Sequence, residues 1–478
     1  MSISQSINSA ISGLNVASRK AEVVSSNIAN ALTEGYGRRT VSISGGEFGG
    51  VQMDGIVRHM DRGIVSDRRL AEAGIGAYRQ TADFLERMER LVGQVGETGA
   101  ITTRMSELEK ALVSATADPG SDVRLNLVVD RLNGLARAVN ATSDGLQAMR
   151  MEAENAIVQQ VATLNDSLAR VEELNADILA FEGRGIDPSS LLDARQLAVD
   201  EIARIVPVRE IDRGRGQIAL MTPSGQSLID GKAVAVGFDK ATYISPDMTL
   251  ASGGLNGITI NGSAIRGTGG AGRLDGGTLG SYFELRDEFL VDAHDKIDAI
   301  ARDMIERFQD DTTDPTLGLG DAGLLTDAGA AFDPADTAGL AARISVNAAV
   351  DPDEGGALYR VRDGVMATTP GPAGSSAQLN RWLDAVHENR PTHLSGEASS
   401  VAGHMASFLS DLGGQRLSVE KDLTFQTARW ETLKDAELAT GVDTDIELQN
   451  LLQIEQAYAA NAKVLQTVDL MIQRLLEI

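Results

Sequence analysis

Residues 441–478 read GVDTDIELQNLLQIEQAYAANAKVLQTVDLMIQRLLEI. Apolar side chains recur there in steps of three and four, at Leu451, Ile454, Tyr458, Leu465, Val468, Ile472 and Leu475, with the polar Asn461 as the one insert. This is the spacing of a heptad seam. Thr444 or Asp445 can cap its start, no proline interrupts it, and Gly441 separates it from what precedes. The stretch therefore predicts a helix of about 36 residues, roughly 54 Å long. Leu448, Leu452, Ala459, Ala462 and Leu476 widen the stripe on one flank, so the helix can serve more than one neighbour. Taken alone, such a helix suits the core of a globular domain as well as an interface.

The other end of the chain carries a matching seam. Ile3, Ile7, Ala10, Leu14, Ala17, Ala21, Val24, Ile28 and Ala31 follow the same three-four steps, so the two ends are predicted to pair. Each of the four alanines forgoes about 2 kcal/mol of burial relative to leucine. Against a domain stability of about 5 to 15 kcal/mol, that deficit predicts a pair weakly held until other subunits add contacts.

At 478 residues the chain is long enough for roughly three domains. Its net charge of -25 makes phosphate backbones and anionic membranes poor partners, so neither nucleic-acid binding nor membrane insertion is expected. There is no cysteine, which removes disulfides, thiolate metal sites and cysteine nucleophiles. The N-terminus, MSISQSINSAISGLNVASRK, lacks the basic and apolar regions of a secretory signal peptide, and no run of 18 or more apolar residues occurs.

The first helix is predicted to stop within SSNIANALTEGYGRR, residues 25–39, where Gly35 can take positive φ and Tyr36 can pack back. Asn27, Asn30, Thr33, Gly35, Tyr36, Arg38 and Arg39 together resemble the N-terminal signature of the bacterial flagellar axial proteins, which build rod, hook and hook-filament junction. Gln456-Ala457-Tyr458 and Ala460 through Thr467, with Asn461 among them, are similar to the C-terminal helix of the same family. Glu34 stands where the family usually has proline or alanine. Pro188 to Ile205 and GTLGSYFELRDEFL, residues 277–290, are similar to its hook-filament junction members.

Between the ends, residues 40–63 alternate around glycines and read as a hairpin. Helical periodicity covers Val65 to about Val95 and Ile101 to Ala117, and Asp118-Pro119-Gly120 breaks it. A very long helix follows, with a seam at Leu125, Val128, Leu132, Leu135, Val139, Thr142, Leu146 and Met149. The seam then slips one residue, to Ile157, Val161, Leu164, Leu168 and Val171, which suits a nearly straight bundle helix. VPVREI, GQIALMT, GQSLIDGKAVAVGF and NGITINGSAI read as strands of an inserted β domain. Residues 311–375 are rich in Asp, Gly, Pro and Thr, with strand hints at ARISVNAAV and ALYRVR. Helices resume with AQLNRWLDAVHEN and continue over 398–440, interrupted at Gly413-Gly414.

No chemistry-bearing motif survives inspection. Gly267, Gly269 and Gly272 spell G-x-G-x-x-G, but no second buried strand ending in an acid follows, so they read as a linker. Asp310, Thr312, Asp314 and Asp321 loosely resemble a calcium loop, yet Pro315 stands where the turn needs glycine. His59, His294, His387, His393 and His404 show no ligand spacing. No catalytic, cofactor or metal residue is assigned.

The fold expected is mainly α with inserted β domains: paired terminal coiled-coil-like helices, a long-helix bundle, and small antiparallel β domains projecting outward. The resemblance implies an inner, polymerising domain of residues 1–40 with 441–478 and a bundle of 41–205 with 276–310 and 376–440. It further implies a β domain over 206–275 and a loop-rich minor β lobe over 311–375. It implies a structural subunit with no enzymatic activity and no cofactor, exported through the flagellum's own channel to the cell exterior without a cleaved signal peptide. The implied partners are a layer of identical subunits, hook protein, the second junction protein, and a cytoplasmic export chaperone at the C-terminal helix. The other readings are another axial protein, such as hook protein or flagellin, and a surface adhesin or coiled-coil interaction protein.

Overall fold

The computed structural model of the chain describes residues 3–46, 49–93, 96–265, 267 and 269–476. The first seam forms α1 (Ile3–Ala29), followed by an antiparallel hairpin of β1 (Arg38–Gly45) and β2 (Val51–His59). Helix α2 (Arg62–Val92) starts where the Asp61 carboxylate accepts the N–H groups of Gly63 and Ile64, and it ends at Gly93, φ 84°. The predicted end near Val95 lies outside the described residues. Helix α3 (Ile101–Ala117) and the Asp118-Pro119-Gly120 break lead into α4 (Asp122–Gly183), 62 residues long, or about 93 Å.

The predicted seam explains α4. Leu125, Leu132, Val139 and Leu146 in its first half and Ile157, Leu164, Leu168 and Val171 in its second are all fully buried. The one-residue slip between Met149 and Ile157 has a structural counterpart. Residues through Ala153 belong to one apolar core, packed with α3 and the later helices, and those from Ile157 belong to a second core. One helix thus turns successive stripes toward two cores.

The second core lies against α5 (Ser189–Ile205) and two small antiparallel sheets. One sheet has the order β3 (Arg209–Gly214), β4 (Gln217–Met221), β5 (Ser227–Asp230), β6 (Lys232–Ala233). The other has the order β7 (Val236–Gly237), β8 (Thr259–Ile260), β9 (Ser263–Ala264). Residues 238–258, the connection between β7 and β8, form a strap across α4 at the junction of the two cores. The Glu154 carboxylate accepts Ala241 N–H at 2.7 Å, and the fully buried Arg150 donates to the carbonyls of Ser245 and Met248. Burial pulls the Arg150 pKa below its usual value, since its hydrogen bonds go to neutral oxygens and not to a carboxylate.

Helix α6 (Gly277–Glu284) joins α7 (Leu290–Gln309) through a single π turn over 285–289, which places Arg286 beside Glu154 at 2.5 Å. The chain continues through β10 (Leu325–Asp327), α8 (Leu340–Arg343), β11 (Ile344–Val346), α9 (Tyr359–Asp363), α10 (Ala377–His387), β12 (Arg390–Pro391) and β13 (Ala398–Ser399). It ends in α11 (Val401–Ala439) and α12 (Thr444–Leu476).

Several local expectations change. ALYRVR is helical in α9, because the buried Trp382 indole donates to the Val361 carbonyl at 3.0 Å and turns the segment's apolar side inward. Gly413 and Gly414 lie in the uninterrupted α11, where packing against α2 outweighs their poor helix propensity. The cap of α12 is Asp443, which accepts from Asp445 and Ile446 N–H, and not Thr444 or Asp445. Residues 311–375, read as an outer lobe, send Leu324, Leu340, Ile344, Val350 and Val361 into the first core beside α4 and α7.

That segment is tied down by Asp298 on α7, whose carboxylate accepts Gly339 and Ala341 N–H, each at 2.7 Å. Burial pushes its pKa up to about 6, against the two hydrogen bonds that lower it. The folded protein therefore holds this proton more tightly than the unfolded chain. The contribution is present in full below about pH 4 and is lost as pH rises through about 6. Relative to Asp298→Asn, the wild type gains about 2 kcal/mol in unfolding free energy between pH 7 and pH 4, readable from urea melts at both pH values.

Candidate functional site

Helices α1 and α12 lie antiparallel, and both seams face the contact. The helices approach closely at Gly13, where an added β-carbon would stand 2.7 Å from Asn461 Nδ2. Asn461 also donates to the Ala457 carbonyl at 3.0 Å, so the polar insert fits over a helix surface that lacks a side chain.

Burial along the seams is shallow. Val24 and Val468 are buried, while Ile7, Leu14, Ile28, Leu451, Ile454, Leu465 and Ile472 are only half-buried. Ile3 and Tyr458 are exposed, at 37% and 49%, so Tyr458 does not fill the seam as its spacing suggests. Leu475 lies in α12, and its side chain is outside the described part. An open groove of about 580 Å³ runs between α1, the hairpin and α12, lined by Val16, Val24, Ile454 and Ala457 among others.

The motif residues build the joint beneath this pair. Asn27, fully buried, donates to the Arg39 carbonyl at 2.9 Å and accepts the Arg39 N–H at 3.0 Å and the Tyr36 hydroxyl at 2.9 Å. One side chain thus closes the turn from helix to hairpin. Asn30 donates to the Ser26 carbonyl at 2.9 Å, and Gly35 takes φ 76°. At Gly35 a side chain would also collide with Leu197 at 2.9 Å, so two independent reasons require glycine there.

Asp193 on α5 then ties the joint to the body. Its carboxylate accepts Arg58 Nε at 2.7 Å and Gly37 N–H at 3.1 Å, and pairs with Arg39. Arg58 also donates to the Gly35 carbonyl at 3.1 Å and to Gln196. On the other side Arg38 pairs with the buried Glu447 of α12 at 2.8 Å. A second ionic cluster lies just beyond. Arg68 meets Asp200 at 3.0 Å, Glu72 at 2.7 Å and Glu437 at 2.6 Å, and Arg69 pairs with Asp200 and Glu210. Burial pulls Arg68 down, and Asp200, Glu437 and Glu72 more than offset it, leaving the guanidinium raised. These contacts join α2, α5, α11 and β3.

The sequence reading included Arg38 and Arg39 in the motif but missed Gly13, Arg58, Asp193, Glu447 and the Arg68–Asp200 cluster. The one available signal was Arg68-Arg69 on a helix face that is otherwise apolar.

Elsewhere, Ser143, His294 and Asp298 approach one another. Ser143 Oγ lies 3.4 Å from His294 Nε2, and His294 Nδ1 lies 3.9 Å from Asp298. All three are buried, burial lowers the His294 pKa, and both Asp298 oxygens are occupied by backbone N–H groups. The cluster holds a fold together. In the loop compared with a calcium site, Asp310 and Asp314 accept from Thr312 and Thr316, and Asp321 accepts Gly318 N–H. Those oxygens point into turns.

Residues 85–314 match the family described as flagellar hook-associated protein FlgK helical domain. Residues 7–36 match flagella basal body rod protein, and residues 438–478 match the C-terminal region of the flagellar basal body rod FlgEFG proteins. Both ends thus match families of flagellar rod proteins, and the middle matches the helical domain of the hook-associated protein FlgK. The chain is 22% identical to the flagellar hook-associated protein 1 of Bacillus subtilis, over 93% of this chain and 92% of that one. With the Escherichia coli protein of the same description it shares 23% identity over the full length of both. A solved flagellar hook junction protein from Burkholderia pseudomallei aligns with a TM-score of 0.43 and 18% identity, covering 55% of this chain and 47% of that one. Among the described residues no helix is long and apolar enough to cross a membrane.

Asp193→Ala leaves Arg58 and Arg39 without their carboxylate and is expected to weaken the joint by about 3 kcal/mol. Limited proteolysis should then cut residues 30–61 early, while the thermal transition of the helical body stays in place.

Proposed function

We propose that the chain is a structural subunit joining flagellar hook to filament, and that each copy becomes ordered by burying its terminal helices against identical neighbours. The observation that carries this is the contrast between seams. The α4 seam is buried along its length within one chain, whereas among the described residues of the α1 and α12 seams only Ala10, Ala17, Val24 and Val468 are, and of the larger side chains only the two valines. Apolar area left half-wet in the monomer is free energy held back for association.

In this reading residues 1–40 with 441–478 form the inner polymerising domain. The bundle of 41–205, 276–310 and 376–440, with 311–375 packed against its core, forms the next layer, and the β segments of 206–275 lie further out. The subunit is not an enzyme. It leaves the cell unfolded through the flagellar export channel and works outside. Hook protein lies on one side and the second junction protein on the other, and an export chaperone covers α12 beforehand. A chaperone on α12 would shield Leu448, Leu452 and Leu470, which are 50%, 59% and 59% exposed.

Leu465→Asp or Ile472→Asp is expected to leave the bundle and β sheets folded by circular dichroism while abolishing incorporation. Cells carrying either change, like cells lacking the gene, should bear hooks without filaments and shed flagellin into the medium. Normal filaments on the deletion strain would refute the junction role, and normal filaments on the point variants would refute burial of the seam.

A further inference from the structure

The terminal pair presents two unlike surfaces. One is the groove between α1, the hairpin and α12, whose α12 wall is Glu447, Asn450, Gln453, Ile454, Ala457 and Asn461. The other is a ridge on the same helix at Leu448, Leu452, Glu455 and Ala459, in steps of four, three and four. At about 100° per residue, those steps set the ridge on the side of α12 opposite the groove wall. Leu448 and Leu452 are 50% and 59% exposed, and Glu455 and Ala459 are exposed as well.

Their charges are complementary. Lys20 of α1 lines the groove, is half-buried, and forms no ion pair among the described residues, whereas its neighbour Arg19 is paired with Glu22. Glu455 on the ridge likewise forms no ion pair among the described residues. The groove is apolar along Val16, Val23 and Val24, and its 580 Å³ falls within the range of about 300 to 1,000 Å³ typical of sites that enclose a ligand.

We propose that this groove receives the Leu448–Ala459 ridge of a second copy of the chain, with Glu455 of the incoming helix paired to Lys20. The inference rests on the reading of the chain as a layer-forming subunit and adds the geometry of the layer. Groove and ridge are different surfaces on one terminal pair, so the association is head-to-tail and repeats from copy to copy. A two-fold contact would end at a dimer. The leucines supply apolar burial, and the Lys20–Glu455 pair fixes the register of the incoming helix.

The cysteine-free sequence makes the test direct. Lys20→Cys and Glu455→Cys are introduced singly and together, and flagella isolated from cells are treated with a short bis-maleimide. The double variant should give a ladder extending beyond dimers, and neither single variant should cross-link. Dimers from Glu455→Cys alone would place ridge against ridge and overturn the proposal, as would absence of a ladder in intact junctions. Independently, Lys20→Glu should lower the chain recovered in purified flagella by on the order of tenfold, with Glu455→Lys in the same chain restoring it. Undiminished recovery of the Lys20→Glu chain, or failure of the second change to restore it, would also overturn the proposal. In every arm, filaments on wild-type but not on deletion cells keep the junction role standing whatever the fate of the groove.

Discussion

Two helices separated by more than 400 residues must lie side by side, and the rest of the chain is an excursion between them. The contact at Gly13 shows how closely they meet, since Asn461 occupies the space a β-carbon would need. The outward and return paths are constrained in the same way. Helix α2 leaves and α11 returns antiparallel to it, joined by Arg416 to Glu89 at one end and Arg68 to Glu437 at the other. Whatever the β segments do, the body is therefore carried on two antiparallel helix pairs in succession, and the mechanical question is how one pair is fixed to the next.

The connection is ionic and not apolar. Asp193 holds Arg39 and Arg58 below the terminal pair, and Asp200, two helical turns further along α5, holds Arg68 and Arg69 of the next pair. One face of α5 therefore fastens both levels. Buried ion pairs of this kind add little net stability compared with apolar packing, but they tolerate few alternative geometries. That property suits a joint that must hold a single angle. The same reasoning explains why Asn27 lies at the centre of the turn: its amide both donates and accepts, so it fixes Arg39 and Tyr36 with one side chain.

Much of the architecture was legible because it is written in local periodicity. The α4 seam, the break at Pro119, the hairpin and the two end helices all follow from apolar spacing and from glycine and proline placement. Even the slip after Met149 carried information, since it marks where α4 passes from one core to the other. What could not be read depends on pairing across sequence. Asp193 and Arg58, like Glu447 and Arg38, are ordinary surface-type residues until folding brings each pair together from separate elements. The mistaken strand at ALYRVR and the supposed outer lobe failed for a related reason, because alternation alone does not reveal that Trp382 and Asp298 hold the segment against the bundle. Tyr458 had the right spacing but lies 49% exposed, so spacing alone did not place it in the contact.

Shallow burial of the terminal seams is best understood against the deep burial of α4. A subunit that satisfied both seams internally would be a more stable monomer and a poorer building block, because nothing would remain for a neighbour to stabilise. Small residues make the compromise possible. Ala10 and Ala17 are buried at little cost in area, and Gly13 lets α12 approach without a large apolar knob between the helices. The leucines that a tighter pair would have turned inward, Leu448 and Leu452, face away from the groove wall. The free energy that α1 and α12 do not gain from each other is thus placed on a surface that one copy alone cannot cover.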